Sequence, residues 1–99
     1  MTGKRVTVAG AARSGIAAAE LLARRGARVT LSDSRADLPE AAYLRSLGVA
    51  LELGGHTRDT FTSADLVVLS PGVPPEQEFV QAARDRGIPV IAEIELAAR

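Results

Sequence analysis

At 99 residues, with twelve basic and twelve acidic side chains, the chain is the size of one domain and has no formal net charge, which excludes the one-signed electrostatic footprint of a nucleic-acid or membrane-surface binder. The absence of cysteine excludes disulfides and thiolate metal sites, a usage compatible with a reducing cytoplasm. Hydrophobic residues make up 46% but include only one Tyr, two Phe and no Trp, so the core must come from Ala, Val, Leu and Ile, as in strands covered by helices.

In chain order, residues 5–9 read as a first strand. It runs into Gly10-Ala11-Ala12-Arg13-Ser14-Gly15 and then into an Ala-rich helix over 14–25, stopped at Gly26. Strand two is 28–32, closed by Asp33-Ser34-Arg35. Pro39 suits a first helical turn, so 40–47 reads as a helix ended by Gly48. Residues 49–53 give a short third strand with Gly54-Gly55 as its exit, and 57–63 has room for a single helical turn. The stretch 64–69 is apolar apart from Asp65, the mark of a strand buried on both faces. It ends in Ser70-Pro71-Gly72-Val73-Pro74-Pro75, where regular structure is excluded. A helix over 76–86, Gly87 as its cap, a fifth strand over 88–92 and the start of a further helix from Glu93 complete the chain. No apolar run approaches a membrane span, and because Met1-Thr2-Gly3-Lys4 leads straight into strand pattern, no signal peptide is expected.

Strands alternating with helices through short connections predict an α/β, Rossmann-like three-layer domain. Right-handed crossovers make a five-stranded parallel sheet of order 3-2-1-4-5 the expected arrangement. In that order the connections after strands one and four leave in opposite directions, and ligands bind in the crevice between those strand ends. Three segments converge there: the Gly10 turn, Asp33-Ser34-Arg35 and Ser70-Pro71-Gly72.

Each segment has a functional and a purely structural reading. A strand-turn-helix aims backbone amides and a positive helix dipole at one spot, which suits a phosphate, although such a glycine turn also serves close packing alone. Ala12 occupies the middle position of the dinucleotide fingerprint, where glycine lets the backbone approach the pyrophosphate. Asp33 lies 18 residues beyond Gly15 and 23 beyond Gly10, near the spacing of about 20 expected for an acid that accepts from ribose hydroxyls. It equally suits a uracil donor, an Asx turn or a helix cap. Arg13 and Arg35 are forked donors for phosphate oxygens or solvated surface guanidinium groups. Ser70 and the Gly72 amide are possible phosphate donors in a loop that Pro71 and its neighbours stiffen. His56, the one histidine, has no second ligand at metal spacing and reads as a loop residue. Glu93 and Glu95 fit dipole compensation in a first helical turn. With Lys4 as the lone lysine and no G-x-x-x-x-G-K-[ST] loop, ATP is not held in the Walker manner. No general acid-base or nucleophilic set can be assembled, so the chain reads as a binding domain and not a complete enzyme.

These motifs carry a resemblance. Val8 through Gly15, Ser32-Asp33-Ser34-Arg35, Leu53-Gly54-Gly55-His56, the run from Ala64 to Pro74 with its S-P-G motif, and the closing stretch from Ile88 with its E-I-E-L motif resemble the amino-terminal domain of the Mur ligases. The match is to the branch that adds D-glutamate to UDP-N-acetylmuramoyl-L-alanine in peptidoglycan synthesis, and it covers essentially the whole chain. It implies that residues 1–99 form the first of three domains and hold the UDP moiety of the substrate. Central ATPase and C-terminal domains of the same ligase would be its partners, with ATP and Mg2+ used there, and the chain alone would hold no cofactor, catalytic residue or metal. It further implies that Arg13 and Ser14 lie near the diphosphate, Asp33, Ser34 and Arg35 in the uracil pocket, and Ser70, Pro71 and Gly72 at further UDP contacts. A cytoplasmic protein with a small-molecule substrate, no nucleic acid and no membrane is expected. The family often has glycine where this chain has Ala12. The competing readings are an NAD-binding Rossmann half-domain of an oxidoreductase, and a response-regulator-like scaffold, which would want acids where residues 9–12 have none.

Overall fold

The computed structural model describes residues 2–92. The elements are β1 (Arg5–Ala9), α1 (Arg13–Arg24), β2 (Arg28–Asp33), α2 (Ala41–Ser46), β3 (Ala50–Leu53), α3 (Arg58–Thr62), β4 (Leu66–Leu69), α4 (Glu78–Asp85) and β5 (Val90–Ala92). They build one five-stranded sheet in the order β3-β2-β1-β4-β5, with all pairs parallel. The expected α/β, Rossmann-like architecture is therefore present, with connections after β1 and β4 diverging around a single switch point.

Alternation along the strands divides the core into two halves. Val6, Val8, Val29, Leu31 and Val68 pack with Ala18, Ala19 and Leu22 of α1 and Ala41 and Leu44 of α2. Ala9, Val67 and Leu69 pack with Phe61 of α3 and Phe79, Val80 and Ala83 of α4. Because successive side chains of a strand point to opposite faces and both faces are covered, β4 is apolar at every position and all four of its residues are buried.

Element ends shift for identifiable reasons. The strand expected from residue 64 starts at Leu66, because the Ala64 N–H closes α3 onto the Phe61 carbonyl. Before it, Asp65 ties β4 to β1 by donating its N–H to the Arg5 carbonyl and accepting from the Arg5 N–H at 2.8 Å. The fourth helix begins at Glu78 and not at residue 76, since the Gln77 N–H turns back to the Pro74 carbonyl. The fifth strand begins at Val90 because the Ile88 N–H closes α4 onto Ala83, and Pro89 has no N–H to give. The 57–63 segment does hold a helical turn, α3. The further helix expected from Glu93, and the dipole role read for Glu93 and Glu95, lie outside the described residues.

Candidate functional site

The chain leaves β1 through Gly10, whose φ of +95° is a conformation that favours glycine, and whose added Cβ would stand 2.9 Å from Val73 Cγ2 and 3.0 Å from Ser70 Cβ. At Gly15, one turn into α1, an added Cβ would overlap the Gly10 carbonyl oxygen, so helix and strand meet there backbone to backbone. The middle position makes no such demand: Ala12 is the exposed N-cap of α1, with φ −67° and ψ 171°. No side chain caps α1 and no acid lies in its first turn. Its leading amides and the positive end of its dipole are thus not offset by the features that usually satisfy a helix start.

Two clamps hold this turn. The buried Ser70 Oγ donates to the Gly10 carbonyl at 2.9 Å, fixing the end of β4 against the exit of β1. From the other side, Asp33 Oδ1 accepts from the Ala11 N–H at 3.3 Å, while Asp33 Oδ2 accepts from Arg35 Nε at 2.7 Å and from the Arg35 N–H at 3.3 Å. Arg35 Nη2 returns to the Ala11 carbonyl at 2.6 Å and closes the ring. Burial pushes the Asp33 carboxyl up, but the Arg35 side-chain hydrogen bond, the Ala11 and Arg35 amides and the guanidinium charge outweigh it and hold the group below its ordinary value. The bond from the Arg35 N–H is the Asx-type contact expected of Asp33, whereas the bond from the Ala11 N–H, which anchors the turn after β1, was not foreseen; the acceptor capacity of Asp33 is largely used.

A crevice of about 550 Å³ opens over these strand ends. Of the residues singled out from the sequence, Asp33, Ser34, Arg35, Ser70 and Gly72 line it together with Gly10, Ala11 and Ala12. Arg13 instead lines an adjoining recess of about 240 Å³ that it shares with Ala11, Ala12, Arg35, Pro39 and Glu40. Ser14 sits half-buried in the first turn of α1 and Pro71 exposed on the loop after β4; neither lines the crevice or the recess.

The crevice also has a wall that sequence reading did not assign. His56, Val73, Pro74, Gln77 and Phe79 belong to it. The His56 ring stacks on Phe79, with centroids 4.4 Å apart and planes at 29°, and meets Phe61 edge-on at 5.9 Å. Its Nδ1 lies 2.7 Å from the Oγ of Ser32, a fully buried residue, and Ser32 Oγ in turn donates to Glu52 Oε1 at 2.8 Å. Glu52 also accepts from the Thr57 N–H and the Thr60 hydroxyl. Burial pushes the Glu52 carboxyl up, yet the bonds from Thr60, Thr57 and Ser32 prevail and hold it below its ordinary value, so it is ionised at neutral pH. The available signal was weak: in a parallel order 3-2-1, Ser32 and Glu52 are register partners, and no local pattern marks them. Among the described residues no group of three or more His, Asp or Glu is arranged to hold a metal, and no helix is long and apolar enough to cross a membrane.

Residues 4–92 match the family model described as Mur ligase MurD-like, N-terminal domain. A UDP-N-acetylmuramoylalanine–D-glutamate ligase from Anaeromyxobacter dehalogenans is 54% identical over 101 residues, covering 100% of this chain and 22% of that protein. A pseudomurein peptide ligase type C from Methanothermus fervidus superposes with a TM-score of 0.83 at 23% identity over 98% of the chain and 20% of its own. A UDP-N-acetylmuramate-alanine ligase from Thermotoga maritima gives 0.76 at 24% identity, over 95% and 22%. The chain thus spans about a fifth of the length of these relatives.

Proposed function

The chain belongs to the MurD-like N-terminal domain family of the Mur ligases, and from that premise we propose that it binds the UDP moiety of UDP-N-acetylmuramoyl-L-alanine. In this reading it is the first of three domains of a cytoplasmic ligase that adds D-glutamate. The observation that carries the proposal is the start of α1: uncapped, free of acids in its first turn, and opening on a crevice bordered by Arg35. A diphosphate set there meets backbone amides and a helix dipole, with Arg13 and Arg35 on the adjoining recess as forked donors. The nucleoside then lies toward Ser34, His56 and Phe79, with Ser70 and Gly72 of the loop after β4 also lining the crevice and Pro71 on that same loop. Ala12 is compatible with this pose, because its backbone is extended and leaves the helix amides uncovered.

In the full ligase, ATP phosphorylates the substrate carboxylate and D-glutamate attacks the acyl phosphate. This chain has no phosphate-binding lysine loop, so ATP and Mg2+ are assigned to the remaining domains and the chain alone turns nothing over. The test is chemical-shift mapping of the labelled 99-residue chain with UDP and, separately, with NADH. UDP is expected to perturb residues 13–14, 33–35 and 70–72, weakly, since further domains contribute to the cradle. Saturable NADH binding without a response to UDP defeats the proposal and favours the oxidoreductase half-domain.

A further inference from the structure

The network behind the crevice wall fixes a proton. Glu52 takes the Thr57 N–H, the Thr60 hydroxyl and the Ser32 hydroxyl, which is the donor set of a carboxylate. A serine hydroxyl has one hydrogen, and once Ser32 gives it to Glu52 the oxygen at 2.7 Å from His56 Nδ1 can only accept. Nδ1 must therefore carry the hydrogen, and in a neutral imidazole Nε2 is then a bare lone pair. Nε2 has no hydrogen-bond partner among the described residues, while the ring is held flat against Phe79 and borders the crevice. The carboxylate that lines the crevice, Asp33, is already occupied by Ala11 and Arg35.

We propose that His56 is a specificity-determining residue of this crevice, its Nε2 presented as the acceptor for an N–H or O–H donor of the bound nucleoside, with Ser32 and Glu52 as positioning residues that lock the tautomer. The inference rests on the UDP reading and extends it: a pocket whose helix start offers donors to phosphate requires a separate acceptor to recognise a nucleoside's donors. The two candidate donors are the uracil imide and the ribose 2′-hydroxyl.

The tautomer is read without ligand, from imidazole nitrogen shifts of the 99-residue chain in mildly alkaline buffer. The expected pattern is protonated Nδ1 and unprotonated Nε2, moving toward protonated Nε2 in Ser32→Ala. UDP titration of wild type and His56→Phe, a change that keeps a ring on Phe79, is expected to show about tenfold weaker binding in the variant, the worth of one neutral hydrogen bond. His56→Asn, which keeps an amide near Ser32 but cannot reach as far, is expected to fall with His56→Phe. The difference between wild type and His56→Phe should vanish either with 3-methyluridine diphosphate, identifying the imide, or with 2′-deoxyuridine diphosphate, identifying the hydroxyl. A protonated Nε2 in wild type overturns the proposal, as does equal UDP affinity in wild type and His56→Phe, or a difference that survives both analogues. Failure of wild type to bind UDP at all instead brings down the UDP reading, and this inference with it.

Discussion

Gly15 shows how a single missing methyl group holds the site together. Its Cα faces the Gly10 carbonyl so closely that any Cβ overlaps backbone, and backbone cannot rotate away as a side chain does. Gly15→Ala is therefore expected to cost about 2–4 kcal/mol, read as a lowered urea midpoint at unchanged slope. Gly72→Ala is the control: its Cβ meets nothing within 4 Å, so its midpoint should stay within about 0.5 kcal/mol of wild type. Equal losses at the two positions would refute the close-approach account. Both glycines are plain in the sequence, but only the fold distinguishes the one pressed against a carbonyl from the one in open space.

At the scale of the element, α1 is a helix left unfinished at its start. Its apolar face is ordinary, with Ala18, Ala19 and Leu22 buried on the sheet, but residue 12 is Ala where Ser, Asp or Asn would close the free amides. That omission costs stability and is explained if an anion completes the helix. Ala12→Asp should raise stability by about 1 kcal/mol through capping and, on the proposed function, weaken UDP binding at least tenfold by setting a carboxylate where the diphosphate belongs. Paired thermal unfolding and UDP titration check this; a variant that is more stable and binds as well would show that the phosphate sits elsewhere. The helix, its start and its end at Gly26 were legible from the turn motif and alanine pattern, because these are local signals. Element ends near prolines were less so: the turn back to the Pro74 carbonyl delays α4, and Pro89, which has no N–H, delays β5, neither of which sequence spacing records.

For the whole molecule, two carboxylates link strand ends to their neighbours: Asp33 joins β2 to the turn after β1, and Glu52 joins β3 to Ser32 of β2 and to Thr57 and Thr60 around α3. Both are held below their ordinary values of 3.8 and 4.5, so the unfolded chain binds protons there more readily than the folded one. Their contribution is complete above about pH 4.5 and is lost as pH falls through the lower folded values. Urea midpoints of wild type should accordingly decline below that point, and Glu52→Gln should show a shallower decline; identical slopes would mean that Glu52 does not couple protonation to folding.

The sequence by itself determined the order of elements, the parallel sheet and the three loops that gather at its switch point, because hydrophobic period, glycine stops and crossover handedness are local or topological rules. It also carried the family, through motifs spread along nearly the whole chain. The tertiary structure alone decided which of those loop residues line the crevice, turned Asp33 into an anchor of the turn, and placed His56 on a wall with Phe79. The physical reason is that these are distances between strands and helices far apart in the chain: Ser32, Glu52 and His56 become one hydrogen-bonded chain only when β2 and β3 pair in register.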